Sequence, residues 1–228
     1  MTSIPGSHPT PETRPHQSGE PDAELLQAVL DRAGIRQWDV LLFGDGSGSQ
    51  WGMPAGWAGV VVDRQTRGRK LLYMAINECS INLAESMPYW YMINWYDQVI
   101  GKQRLKDVGV LNIHVITDSQ VVATWGTKAT QLGEALPRKH LMVWAGVREL
   151  CRMGYRYHFH WAPRSTSLLN WSCDLVAGMA RRQLQAVAND PLGGVDYAQR
   201  ALDAIRQVHF ADPTGVPINL YDLNHDAE

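Results

Sequence analysis

Four acidic residues stand in sequence contexts that suit ligands of a divalent cation. Asp45 and Asp118 each end an apolar, β-branched run, whereas Glu85 and Asp174 lie in patterns typical of helices. Strand ends and neighbouring helix faces can bring residues that are distant in sequence to one point. Mg²⁺ takes oxygen ligands, and four carboxylates packed without a cation would repel one another. The pattern therefore predicts a shared metal site built from these four side chains.

Taken singly, each acid also has an ordinary structural explanation. Asp45 before Gly46 is typical of a turn, and Asp118 before Ser119 is typical of a helix N-cap. Glu85 and Asp174 could simply face solvent on their helices. Their joint occurrence, each in a suitable element, favours the shared site over four separate coincidences.

The size and composition of the chain indicate one domain with terminal extensions. It has 228 residues, 45% of them hydrophobic, and a net charge of −2, which gives no general argument for nucleic-acid binding. Basic residues do outnumber acidic ones between Lys128 and Arg164, which suits either a solvated helix face or a nucleic-acid contact. Residues 1–22 are rich in Pro, Ser and Gly and lack an apolar run, so they are expected to be a disordered tail, not a signal peptide or membrane span.

The cysteines indicate the redox environment in which the chain works. Cys79, Cys151 and Cys173 are odd in number and show no CxxC spacing, so neither a disulfide framework nor a zinc site is expected. A reducing intracellular compartment, and hence a cytoplasmic location, is predicted.

The hydrophobic pattern predicts a mixed α/β domain. The expected elements are, in order, a helix over 23–34, strands over 38–45, 56–64 and 70–77, a helix over about 82–100, a strand over 110–118, a short helix over 119–126, a helix over 138–154, a strand over 155–163, and helices over 168–188 and 195–210. Strands joined by tight turns pair antiparallel, and strands that arrive through helices pair parallel. A mixed five-stranded sheet, three antiparallel strands and then two parallel ones, should therefore carry helices on both faces.

A proline complicates the helix that carries Glu85. Pro88 lacks the amide hydrogen that an interior helical position donates, so the helix is expected either to begin late or to bend there.

Four motifs in order point to a known family. DGSG followed by GWAGVVV resembles a first hairpin, NLAE contains Asn82 three residues before Glu85, and TDSQ follows the fourth strand. HWAPR followed by NWSCD resembles a last strand, its loop and the opening of the last helix. From Trp38 to Gln185 the chain resembles type 1 ribonuclease H.

The resemblance implies a ribonuclease H-like fold and a catalytic role for all four acids. It implies that Asp45, Glu85, Asp118 and Asp174 bind two Mg²⁺ or Mn²⁺ ions, with Asp45 as the bridging ligand. One ion would activate water and the other would stabilise the leaving 3′ oxygen. The implied reaction is endonucleolytic hydrolysis of the RNA strand of an RNA–DNA hybrid, leaving a 5′ phosphate.

The resemblance also implies residues that contact the hybrid. Ser47, Asn82, Gln120 and Asn170 match positions that contact the backbone, where the 2′-hydroxyl identifies RNA. Residues 162–173 contain no His, and Arg164 stands where many relatives keep a loop His. Because Arg stays charged, it would bind a phosphate oxygen and would not shuttle protons.

The extent of this resemblance and the hydrophobic pattern together suggest the domain boundaries. Residues 37–188 are expected to form the catalytic domain, after a disordered tail over 1–22 and a short helical extension over 23–36. Residues 189–228 would form a C-terminal extension with one helix, and either extension could dock a protein partner. No membrane contact is expected.

Three histidines on predicted strands leave a further question open. His158 and His160 alternate and so share one face of a strand, and His114 lies on the preceding strand. A metal pair is conceivable, but core or sheet-face positions are preferred because no third soft ligand is evident.

Two other functions remain compatible with the sequence. The same fold hosts DNA nucleases such as junction resolvases and transposase-like enzymes, and a non-catalytic nucleic-acid-binding subunit would also fit. The TDSQ and N-x-x-x-D motifs favour the ribonuclease.

Overall fold

The computed structural model describes residues 21–48, 53–66, 69–163 and 168–189. Its helices are α1 (Pro21–Ala33), α2 (Ile81–Tyr96), α3 (Lys102–Val108), α4 (Gln120–Thr130), α5 (Leu141–Met153) and α6 (Leu168–Asn189), with a π-helical segment (Asp97–Gly101) between α2 and α3. Its strands are β1 (Val40–Ser47), β2 (Ala55–Asp63), β3 (Arg69–Ile76), β4 (Leu111–Thr117) and β5 (Tyr155–Trp161). No helix in these ranges is long and apolar enough to cross a lipid bilayer.

The strands form one five-stranded sheet in the order β3-β2-β1-β4-β5. β2 pairs antiparallel with both β1 and β3, whereas β4 pairs parallel with both β1 and β5. The predicted fold class, three antiparallel strands followed by two parallel ones with helices on both faces, is therefore confirmed.

Helices cover both faces of the sheet because the central strands are apolar on both sides. On one face, Leu41 and Phe43 of β1 pack with residues of α1 and α6, including Val176. On the other face, Leu42 packs in a second cluster with residues of α2 and α5, including Trp144. Alternate residues of β1 thus serve two cores, which places β1 at the centre of the fold.

The helix that carries Glu85 begins where local capping directs it to begin. The Ser80 hydroxyl accepts a hydrogen bond from the Leu83 amide at 3.3 Å, so α2 starts at Ile81. Pro88 lies inside α2, and the expectation of a late helix start is therefore wrong. The helical run also continues past residue 100, through the π-helical segment into α3.

A buried arginine holds the connection between α4 and α5. Arg148 is 8% exposed, and its guanidinium donates to four backbone carbonyl oxygens at 2.8–3.2 Å. The acceptors belong to Lys128, Ala129, Gln131 and Glu134. Carbonyls at a helix C-terminus have no partner within the helix, so this one side chain satisfies several of them at once.

The far end of the sheet, at the start of β1, is fixed by a second buried cation. Arg104 of α3 forms an ion pair with Asp63 at the end of β2, and Tyr96 donates to the same carboxylate at 2.5 Å. These contacts tie α3 to the end of the sheet opposite the ends of β1 and β4.

Candidate active site

Asp45 and Asp118 lie side by side at the carboxyl ends of two parallel strands. Asp45 is 2% exposed and stands two residues before the end of β1, not at its end as predicted. Asp118 directly follows β4. The parallel register pairs Phe43 with Ile116, and continuing it by two residues brings Asp45 level with Asp118. The Gly46 amide donates to Asp45 Oδ1 at 2.8 Å, which fixes that carboxylate.

Two glycines of β1 allow the helix bearing Glu85 to approach the strand. A Cβ added at Gly46 would lie 2.5 Å from the carbonyl carbon of Ala84 and 2.9 Å from Cα of Glu85. A Cβ at Gly44 would lie 2.9 Å from Cβ of Pro88. Backbone therefore packs on backbone, and Glu85 is held next to the residue that follows Asp45.

Asp174 is brought to the same place by its neighbour in α6. Cys173 is fully buried and donates its thiol to the Phe43 carbonyl at 3.7 Å. Burial raises the pKa of the Cys173 thiol well above its ordinary value, and the carboxylates of Asp45, Asp118 and Asp174 raise it further. Three of the predicted acids therefore lie within electrostatic range of one sulfur.

Tyr89 provides a second buried group that is close to the same carboxylates. Its hydroxyl donates to the Gly44 carbonyl at 2.7 Å, and its pKa is raised well above the ordinary value, first by burial and then by Asp45, Cys173 and Asp118. The two aspartates are therefore approached from the α2 side by Tyr89 and from the α6 side by Cys173.

The donor chemistry of the cluster suits hard divalent cations. All four groups are carboxylates, and Glu85, Asp118 and Asp174 are half-buried, so solvent reaches them. Within the described parts of the chain, no three His, Cys, Asp or Glu side chains already surround one point as metal ligands. The carboxylates fit Mg²⁺ or Mn²⁺ in the type of their donor atoms.

The sheet order and the direction of its strand pairing decide the architecture. The chain has a ribonuclease H-like fold. No protein-family model matches the sequence. A search of curated proteins also finds no match.

Several solved structures of ribonuclease H proteins are similar to this one. The N-terminal RNase H domain of a Mycobacterium tuberculosis protein, solved as a maltose-binding-protein fusion, is 20% identical, covers 67% of this chain and 99% of that one, and gives a TM-score of 0.48. RNase H1 of Halobacterium salinarum is 22% identical over 62% of this chain and 96% of that one, with a TM-score of 0.45. LC11-RNase H1 in complex with an RNA/DNA hybrid is 14% identical over 63% of this chain and 97% of that one, with a TM-score of 0.43.

The residues predicted to contact substrate have different environments in this ribonuclease H-like fold. Ser47 is the last residue of β1, Asn82 lies in the first turn of α2, and both are half-buried. Gln120 opens α4 and is exposed, whereas Asn170 in α6 is only 2% exposed. Arg164 lies outside the described residues.

Three residues near the carboxylates were not predicted from the sequence. Tyr89 follows Glu85 by one helical turn, and Cys173 precedes Asp174, so both could have been found as neighbours of the acids. Trp161 ends β5, and its indole N–H donates to the Asp118 carbonyl at 2.9 Å. Its role depends on the pairing of β5 with β4, which the sequence alone gives only as an expectation.

The three strand histidines form a separate cluster on the sheet. His114 and His158 are register partners, and Nδ1 of His114 lies 2.9 Å from Nε2 of His160. Burial, followed by the charges of His158 and His160, lowers the pKa of His114 from 6.5 to about 4. The ring of His114 also stacks on the rings of His158 and His160, so the three side chains pack against one another on the sheet.

Proposed function

We propose that this protein is a metal-dependent endonuclease that hydrolyses the RNA strand of RNA–DNA hybrids and leaves a 5′ phosphate. The observations that support the proposal are the parallel register that brings Asp45 level with Asp118 and the packing of the α2 backbone at Glu85 against Gly46. With Asp174, which follows the Cys173 that donates to the Phe43 carbonyl, these are the four residues singled out by their motifs.

The four carboxylates would hold two Mg²⁺ or Mn²⁺ ions, with Asp45 as the shared ligand. When bound, such ions activate a water molecule and stabilise the leaving 3′ oxygen. Asp45 contributes a position fixed by the Gly46 amide, while the half-buried Glu85, Asp118 and Asp174 remain accessible to a phosphate. The surrounding core keeps the carboxylates on rigid elements, as precise positioning of a reacting phosphate requires.

The proposed substrate contacts come from elements that carry or directly follow the carboxylates. Exposed Gln120, together with Ser47 and Asn82, would bind the sugar–phosphate backbone beside the carboxylates. Recognition of the 2′-hydroxyl would select the RNA strand, because this group distinguishes RNA from DNA at a given position. The TDSQ and N-x-x-x-D motifs favour this substrate over junction DNA.

A cleavage assay with three substrates tests the proposal. Labelled RNA–DNA hybrid, double-stranded RNA and four-way DNA are each incubated with Mg²⁺, with Mn²⁺ and with EDTA. Cleavage of only the RNA strand of the hybrid, dependent on the metal, is expected. Cleavage of the four-way DNA alone would instead identify a DNA nuclease, and binding without cleavage of any substrate would identify a binding subunit.

Two isosteric variants test the carboxylates directly. Asp45→Asn and Asp118→Asn each remove a metal ligand without changing side-chain volume, so both should lose cleavage while melting like the wild type in EDTA. Asp107→Asn is the matched control, since Asp107 lies exposed on α3 and accepts a hydrogen bond from Gln103. Wild-type activity in either site variant would contradict the four-carboxylate site.

Metal binding also has a readout that is independent of cleavage. An ion that binds only the native state stabilises it by RT ln(1 + [L]/Kd), or about 1.4 kcal/mol at ten times Kd. Thermal melting with and without Mg²⁺ should show this shift in the wild type and a smaller one in Asp174→Ala. An equal shift in that variant would place the ions elsewhere.

A further inference from the structure

An aromatic side chain stands exposed at the rim of the carboxylate cluster. Trp161 is 49% exposed, whereas Trp57 and Trp144 are 2% and 0% exposed. Leaving a large apolar ring in water forfeits the free energy that its burial would provide. An exposed ring beside a candidate site therefore calls for a partner that covers it.

The exposed ring is held in one orientation. Its indole N–H donates to the Asp118 carbonyl at 2.9 Å, and the next residue, Ala162, donates its amide to the Thr117 carbonyl at 2.9 Å. The indole N–H is thus already hydrogen-bonded within the protein, and the exposed part of the side chain is its apolar ring surface. A ring already held in place loses little further conformational entropy when a ligand covers it.

The ring stands in line with the carboxylates. Trp161 is the register partner of Thr117, the residue before Asp118, and β4 lies between β5 and β1. Neighbouring strands are about 4.8 Å apart. The backbone at Trp161 is therefore about one strand spacing from Asp118 and about two from Asp45. A polynucleotide bound across the carboxylates would place a nucleotide flanking the reacting phosphate beside the indole.

We propose that Trp161 is a substrate-positioning residue whose indole packs against the sugar of a nucleotide flanking the cleaved phosphate. The inference rests on the proposed function in taking an RNA–DNA hybrid as the ligand, but it does not depend on cleavage of that hybrid. Sugar contact suits a base-paired substrate, because its bases are stacked on one another while the wide, shallow minor groove of an A-form helix displays its sugars. Such a contact adds affinity without sequence preference, since every nucleotide of one strand carries the same sugar whatever its base.

Trp161 could instead matter only through its hydrogen bond to Asp118, and two variants separate these roles. Trp161→Phe keeps an aromatic ring but removes the N–H, whereas Trp161→Leu removes the ring as well. A role in packing predicts a loss in Trp161→Leu and near-normal behaviour in Trp161→Phe. A role through the hydrogen bond predicts equal losses in both.

The test measures binding of a fluorescently labelled RNA–DNA hybrid in EDTA, by anisotropy, so that it does not depend on catalysis. Trp161→Leu should raise Kd about tenfold, in the range found for buried interface tryptophans, and Trp161→Phe by less than about threefold. In the Mg²⁺ assay, Trp161→Leu should raise KM by a similar factor with little change in kcat. Val99→Ala is the matched control, because Val99 is 64% exposed in the π-helical segment.

The outcomes separate this inference from the proposed function. If the wild type binds and cleaves hybrid but Trp161→Leu has the wild-type Kd, or if both variants lose affinity equally, the packing role is overturned and the nuclease stands. If the wild type binds hybrid without cleaving it and only Trp161→Leu binds weakly, the packing role stands and the hydrolysis is overturned. If the wild type binds no hybrid, both are overturned.

Discussion

Replacing Gly46 with alanine should disturb the candidate site without touching any carboxylate. Gly46 lies in β1 directly after Asp45, and its missing side chain leaves room for the backbone of α2. A Cβ there would lie 2.5 Å from the carbonyl carbon of Ala84 and 2.9 Å from Cα of Glu85. These neighbours are backbone atoms of a packed helix, so they cannot turn aside as the end of a flexible side chain could.

The size of the effect follows from these distances. Non-bonded carbon atoms rest at about 3.5–4.0 Å, so α2 would have to move away from β1 by about 1 Å. Forcing extra volume into a packed core costs about 1–3 kcal/mol, and alanine would recover about 0.5–1 kcal/mol of backbone entropy in the strand. Because α2 carries Glu85, the shift displaces one carboxylate from the other three. A displacement of about 1 Å can reduce a rate by about 100-fold.

Urea unfolding and hybrid cleavage, compared between Gly46→Ala and Gly48→Ala, measure both effects. Gly48 is the matched control because a Cβ there would lie 3.5 Å from Cβ of Ala55 and from Cα of Ile81, which is ordinary contact. Gly46→Ala should unfold at lower urea and cleave far more slowly, while Gly48→Ala resembles the wild type. Equal stability and equal cleavage in the two variants would refute the close approach of α2 as the feature that positions Glu85.

Three further outcomes are expected. The folded-state pKa of His114 is about 4, below the ordinary 6.5, so the unfolded state binds the extra proton between these pH values. The free energy of unfolding should therefore decrease by up to about 3 kcal/mol as pH drops from 6.5 to 4. Urea titrations of His114→Gln should show a smaller decrease than those of the wild type. Arg148→Met should lower the free energy of unfolding by about 3 kcal/mol in urea titrations, since several helix-end carbonyls lose a charged donor, and an unchanged midpoint would contradict that role. Arg164→Ala should bind hybrid more weakly and with a salt dependence shallower by about one unit, whereas unchanged binding at low salt would place this loop away from the substrate.

The sequence alone determined the kinds of element, their order and the sheet they form. Apolar β-branched runs predict buried strands because both faces of a central strand must be covered, and all five occur within about two residues of their predicted limits. The same patterns placed Asp45 and Asp118 near the carboxyl ends of two strands, which pair in parallel. These properties depend on local composition and on connection length, and a single chain displays both.

The predicted ends of two helices were wrong because a glycine at each end makes close tertiary contacts and the helix continues through it. Helices were expected to end near 100 and at 126, yet Gly101 and Gly126 both lie in continuing helical turns. A Cβ at Gly101 would lie 3.0 Å from the ring of Tyr96, and one at Gly126 would lie 2.5 Å from the ring of Phe159. Each glycine permits close packing, and local sequence does not distinguish this use from a helix stop.

The surroundings of the four acids were decided by the tertiary structure alone. The motifs name Glu85, but only the packing of α2 on Gly46 shows why it can stand beside Asp45, because that approach requires a missing side chain on a different element. Likewise, Cys173 and Trp161 act on the site through contacts with Phe43 and Asp118, made across long stretches of chain. Such contacts depend on register and on distances of a few ångströms between elements, which are fixed only when the sheet and both helical layers pack at once.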